Sequence, residues 1–115
     1  MSTADILDRL YAVIEDRARE RPGDSYVVKL LDGGVEAIGA KVHEEASEVV
    51  EAAASGDADH LAREVADLVF HTWIMMAHSG VRPADVYAVL EDRFGVGGLE
   101  EKRRRAPGEG ADDAG

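Results

Sequence analysis

The chain has 115 residues, one domain's worth, with 24 acidic against 13 basic side chains and a net charge of −11. That balance excludes a sequence-independent grip on nucleic acid, whose phosphate backbone demands clustered cations. The absence of cysteine excludes a disulfide framework, a thiolate nucleophile and a cysteine zinc site.

The N-terminal stretch carries acids from the start and lacks the basic-then-apolar order of a signal peptide. Within it Ile6, Leu7, Leu10, Tyr11, Val13, Ile14 and Ala18 recur at helical spacing, which predicts a first helix with Ser2 or Thr3 as N-cap and Pro22-Gly23 as the stop. The segment Asp24 to Asp32 is long enough for one or two helical turns before Gly33-Gly34 break the chain. A long helix is expected from about Val35 to Ala54, with Ile38, Val42, Ala46, Val49 and Ala53 as its apolar face and Ser55-Gly56-Asp57 closing it. A third runs from about Asp59 to His78 and ends at Ser79-Gly80. A fourth starts at Pro83 and carries Val86, Val89, Leu90 and Phe94. Residues 1–98 form the predicted domain, 99–105 a charged C-terminal segment of it, and 106–115 a tail with the composition of disorder. No alternating run suggests a strand. The predicted class is all-α, an antiparallel bundle of four to five helices completed by dimerisation. The longest apolar stretch, Val65 to Ala77, is interrupted by Asp67 and His71 and too short to span a bilayer. A cytoplasmic protein with no membrane partner is expected.

Two acidic clusters carry the chemistry. Glu44, Glu45 and Glu48 fall, with Lys41, inside an arc of about 100° on helix two, apart from the expected apolar face. Taken alone they would pass for a solvated surface. Glu64, Asp67 and His71 share a stripe of helix three, where the surrounding VADLVFHTWIMMA is apolar nearly all round and predicts a buried helix. Carboxylates there need pairing or a cation. Lys41, Arg63 or His71 could neutralise them as plain ion pairs. An antiparallel turn at Ser55-Gly56-Asp57-Ala58 would instead set the clusters face to face around a metal. The chain has no Glu-x-x-His step of the di-iron type and no EF-hand loop, so all-oxygen ligation points to Mg²⁺, with Mn²⁺ able to substitute. Lys29 and Lys41 are candidate phosphate ligands, and His43 and His71 could orient water. Met75 and Met76 read as core filling, and Trp73 as core or subunit interface.

The runs KVHEEASEVVEAA and REVADLVFHTWIMMAHSGV resemble the paired Glu-Glu-x-x-Glu and Glu-x-x-Asp motifs of the all-α nucleotide pyrophosphohydrolases of MazG type. With SYVVKLL upstream and FGVGGLEEK downstream, the narrower resemblance is to the phosphoribosyl-ATP pyrophosphohydrolase family, over about residues 6–105. His43 departs from that pattern where a Gly commonly precedes the Glu pair, and Gly97 where a Ser is common. The resemblance implies Mg²⁺-dependent hydrolysis of 1-(5-phosphoribosyl)-ATP to 1-(5-phosphoribosyl)-AMP and pyrophosphate, the second step of histidine biosynthesis, by a homodimer. It implies Glu45, Glu48, Glu64 and Asp67 as metal ligands and Glu44 as a further ligand or the base, with Glu44 and Glu48 the catalytic pair. Lys29 and Lys41 would sit on the substrate phosphates and His71 behind Asp67. Two further readings stay open: a house-cleaning (deoxy)nucleoside triphosphate pyrophosphohydrolase, and a non-catalytic acidic helical binding module.

Overall fold

The computed structural model describes residues 5–95, which contain four α-helices and no strand. They are α1 (Asp5–Glu20), α2 (Tyr26–Ser55), α3 (Ala58–Ser79) and α4 (Pro83–Phe94). The expected Ser2 or Thr3 cap, the charged segment and the tail lie outside the described residues. The all-α expectation is borne out, and no described helix is long and apolar enough to cross a membrane.

The chain divides into two compact units at Arg82 and Pro83. In the first, α2 and α3 share the main interface and α1 packs on both. The α2–α3 turn is short because both helices carry their own caps. Gly56 adopts φ 78 at the end of α2, and the Asp57 side chain accepts from the backbone N–H of His60 at 3.1 Å. α3 ends likewise on Gly80 at φ 75, and the Val81 N–H reaches back to the Met76 carbonyl at 2.9 Å. Gly34 lies against His78, Gly39 against Met75, and Ala52 near Leu61, so the hairpin is antiparallel. Its core is Ile38 and Ala52 from α2 with Trp73, Ile74 and Met76 from α3. Tyr11 and Ile14 join it from α1, and two hydrogen bonds pin that helix: Trp73 Nε1 to the Leu7 carbonyl at 3.0 Å and Tyr11 Oη to the Val81 carbonyl at 2.8 Å. Trp73 is thus a core residue within the chain. α4 forms the second unit's described part, with Pro83 at its first position and Val89 and Leu90 about half exposed.

Within the Asp24 to Asp32 segment, Tyr26 to Asp32 are helical and Asp24 lies in the preceding turn, and Val27, Val28 and Leu30 are buried. Ser25 starts the helix by accepting the Val28 N–H at 3.2 Å. Of the two expected breakers Gly33 remains helical, and the break is Gly34 alone, at φ 69 and ψ −163. That backbone region is essentially closed to side-chain-bearing residues, at a cost on the order of 1–3 kcal/mol. Gly34→Ala is therefore expected to lower unfolding free energy by about that amount, read from urea denaturation midpoints at unchanged slope.

Two expectations about faces are corrected. Helix three is not buried all round within the chain: Val65, Ala66 and Asp67 are exposed, and its covered face is the His71, Ile74 and neighbouring stripe. On α2 the buried line is Ile38, Glu45 and Ala52, while Ala46 and Ala53 are exposed. At about 100° per residue a seven-residue step returns to within about 20° of its start, so Glu45 points where Ile38 points. The acidic stripe is not apart from the packed face. Its middle member belongs to that face.

Candidate active site

Glu45 is 6% exposed, the most buried carboxylate among the described residues, and it arrives there because α2's packing seam carries it. From across the hairpin α3 supplies Glu64, its side chain largely covered, and Asp67, one turn on and exposed. Oxygen atoms of Glu45, Glu64 and Asp67 lie within 4.8 Å of one another, and so do those of Glu44, Glu45 and Glu48. Glu45 is common to both groups. The two clusters therefore do face each other, through the residue that helical-wheel reasoning had placed on the surface.

The electrostatics are those of crowded like charges. Burial first, then the neighbouring Glu48 and Glu64 carboxylates, push Glu45 up to about 7. Hydrogen bonding to Glu64 is the main cause holding the Glu48 carboxyl above the usual carboxylate range. Glu45 Oε2 and Glu64 Oε1 are buried with no hydrogen-bond partner. Such atoms are rare in folded proteins and costly where they occur. The plain ion-pair alternative accounts for little of this. Lys41 Nζ reaches Glu44 Oε2 at 3.2 Å, on the outer edge, and Arg63 is exposed without an ion pair among the described residues. His60 Nε2 meets Glu64 Oε2 at 3.2 Å, leaving Oε1 uncovered. His60 went unnoticed in the sequence, although its four-residue step to Glu64 is the signal that would have found it.

His71 is buried but does not touch the Asp67 carboxylate. Its Nδ1 lies 2.8 Å from the Asp67 backbone carbonyl, and its Nε2 lies 2.7 Å from Tyr26 Oη. A carbonyl only accepts, so Nδ1 carries the hydrogen, and in the neutral ring Nε2 accepts from the tyrosine. His71 thus fixes the turn from which Asp67 projects and joins it to the first segment of α2. Tyr26 is the second residue that sequence reasoning missed. Burial raises its hydroxyl's pKa, and Glu45, Glu44 and Asp67 add to the effect against Lys41, which places Oη in the field of the acidic site. Lys29 and His43 are exposed, with no ion-pair partner among the described residues. The structure does not gather either of them into the carboxylate clusters.

A helical hairpin that presents facing carboxylates with unsatisfied inward oxygens defines a class, an all-α protein whose two central helices carry acidic groups that could hold a cation. The particular family follows from comparison. The phosphoribosyl-ATP pyrophosphohydrolase family model matches residues 7–94, and the chain belongs to that family. Its relatives include a phosphoribosyl-ATP pyrophosphatase of Variovorax paradoxus, 49% identical over 114 residues that cover 91% of this chain and 89% of the relative. That of Methylibium petroleiphilum is 50% identical over 101 residues (88% and 84%), and that of Chromobacterium violaceum 44% identical over 105 (91% and 97%).

Proposed function

We propose that this chain hydrolyses 1-(5-phosphoribosyl)-ATP to 1-(5-phosphoribosyl)-AMP and pyrophosphate, the second step of histidine biosynthesis, in the cytoplasm. The carrying observation is the pair of buried, unpartnered oxygens Glu45 Oε2 and Glu64 Oε1 inside two linked carboxylate groups. The relatives' name supplies the substrate. The donor set is all oxygen and fits a hard divalent cation. Glu45, Glu48, Glu64 and Asp67 would hold Mg²⁺, with Mn²⁺ as a substitute. When bound, the ion neutralises charge on the triphosphate and on the leaving pyrophosphate.

The protein's own groups do the rest. Glu44 sits at the rim, with one oxygen on Lys41 and the other free to accept the proton of a water that attacks the α-phosphorus. The new bond is from water oxygen to the α-phosphorus, and the bond broken is the one to the bridging oxygen that departs with pyrophosphate. Glu48, one turn on, stands beside Glu45 and Glu64 as the second catalytic carboxylate. Lys41 and Lys29 add positive charge for the phosphates, and His71 keeps Asp67 in place through its carbonyl. A homodimer suits the apolar surface flanking the acids, where Val50 is 69% and Val65 41% exposed.

The deciding experiment is pyrophosphate release by the pure protein with Mg²⁺. Phosphoribosyl-ATP should be turned over far faster than dCTP or dUTP, yielding pyrophosphate and not stepwise orthophosphate. Faster turnover of the plain triphosphates would move the assignment to a house-cleaning enzyme. Mn²⁺ titration of Glu48→Ala and Asp67→Ala with unchanged affinity would instead favour a binding module.

A further inference from the structure

The substrate reading leaves one end of the molecule without a place. Phosphoribosyl-ATP carries a triphosphate at one end and a ribose phosphate monoester at the other. The carboxylate hairpin, with Glu44, Glu45, Glu48, Glu64 and Asp67 crowded together, repels any phosphate not clamped by a cation. The second phosphate needs a fixed positive group outside that field, yet close to it.

One cavity in the first unit meets the requirement. A cleft of about 470 Å³ is lined by Arg17, Pro22, Asp24, Ser25, Tyr26, Val27 and Phe70. That volume lies within the roughly 300–1,000 Å³ usual for small-molecule sites. Tyr26 belongs to both places: its hydroxyl bonds to His71 beside the acids, while its ring stacks on Phe70, centroids 6.2 Å apart and planes 20° from parallel, along the cleft. Arg17 is the cleft's one cation and has no ion-pair partner among the described residues. Its neighbours are committed: Arg19 pairs with Asp16, and Arg21 grips Asp32 through contacts of 2.8 and 2.9 Å. Another cavity, about 410 Å³ beside Tyr11, Glu15 and Arg19, offers charges already engaged: Glu15 with Arg82, Arg19 with Asp16.

Resting on the phosphoribosyl-ATP reading, we propose that this cleft is the subsite for the substrate's 5-phosphoribosyl group. Arg17 receives the phosphate monoester, Asp24 accepts from the ribose hydroxyls, and the Tyr26–Phe70 pair supplies an apolar wall for the sugar and base. The site thereby selects phosphoribosyl-ATP over ordinary triphosphates, which have nothing to offer Arg17.

The test compares wild type, Arg17→Ala and Arg17→Lys on phosphoribosyl-ATP and on 1-ribosyl-ATP, the same molecule without the second phosphate. Arg17→Ala should raise KM for phosphoribosyl-ATP roughly tenfold to a hundredfold with kcat little changed, as expected for a charge-assisted contact made equally in ground and transition states. Arg17→Lys should recover part of the loss. Neither variant should differ from wild type on 1-ribosyl-ATP or in Mn²⁺ affinity. An unchanged KM for phosphoribosyl-ATP in Arg17→Ala, or equal losses on both substrates, overturns the subsite while leaving the activity standing. A wild-type protein that does not cleave phosphoribosyl-ATP overturns the activity first and this inference with it.

Discussion

Glu45→Gln should cut turnover severely while making the metal-free protein more stable. A bound divalent ion is worth several kcal/mol of transition-state charge stabilisation. Losing the carboxylate common to both oxygen groups should therefore lower kcat/KM on the order of 10³-fold, at about 1.4 kcal/mol per factor of ten. The gain in stability has a separate origin. Glu45 occupies a packed position between Ile38 and Ala52, where burial and the facing carboxylates oppose its charge. A neutral amide of the same shape escapes that opposition. Steady-state kinetics and a thermal melt at pH 8 without metal read the two effects. Reduced activity accompanied by a lower melting temperature would mean that Glu45 is a structural partner and not a ligand held at a cost.

The second large effect is the interplay of pH and metal. Glu45 is raised from 4.5 to about 7 in the folded chain, and Glu48 is raised as well. The native state therefore keeps protons between those values that the unfolded chain has already released, and stability falls as pH climbs from about 4.5 to about 7. The contribution is fully present below the unfolded value and gone above the folded one. A divalent cation competes for the same oxygens and favours the ionised form. Mn²⁺ or Mg²⁺ should thus raise the melting temperature strongly at pH 8 and hardly at pH 5. At a hundredfold excess over Kd the gain is about 2.7 kcal/mol, worth several degrees for a domain this size. Melts across a pH series with and without Mn²⁺ decide it, and equal shifts at both ends would disprove the coupling.

Much of the fold was legible because its punctuation is chemical. Gly56 and Gly80 end helices in the left-handed region and Pro83 opens one, each readable from a single residue type, whereas Asp57, expected in the close of α2, caps the start of α3. The ranking of the acids was not legible. Helix three reads as apolar all round, so Glu64 and Asp67 drew the attention, yet Asp67 is exposed and the buried member is Glu45 on the helix that looked ordinary. The expected face ran from Ile38 through Val42 and Val49 to Ala53 and Ala46, small residues that tolerate exposure, and the true centre is fixed by which face α3 covers. That is a tertiary fact. Tyr26 was invisible for a related reason: its link to His71 spans 45 positions and depends on where Gly34 bends α2.

The Ile38, Glu45, Ala52 seam also sets where the chain can change length. Inserting one residue between Gly34 and Glu44 would turn Glu45 by about 100° around the axis and present Glu44 to α3 in its stead. An extra residue at the Gly56 turn would leave the phase of both helices untouched. The spacing from the bend to the carboxylate is therefore as much a part of the site as the carboxylate itself, and drift in loop length is confined to the ends of the hairpin.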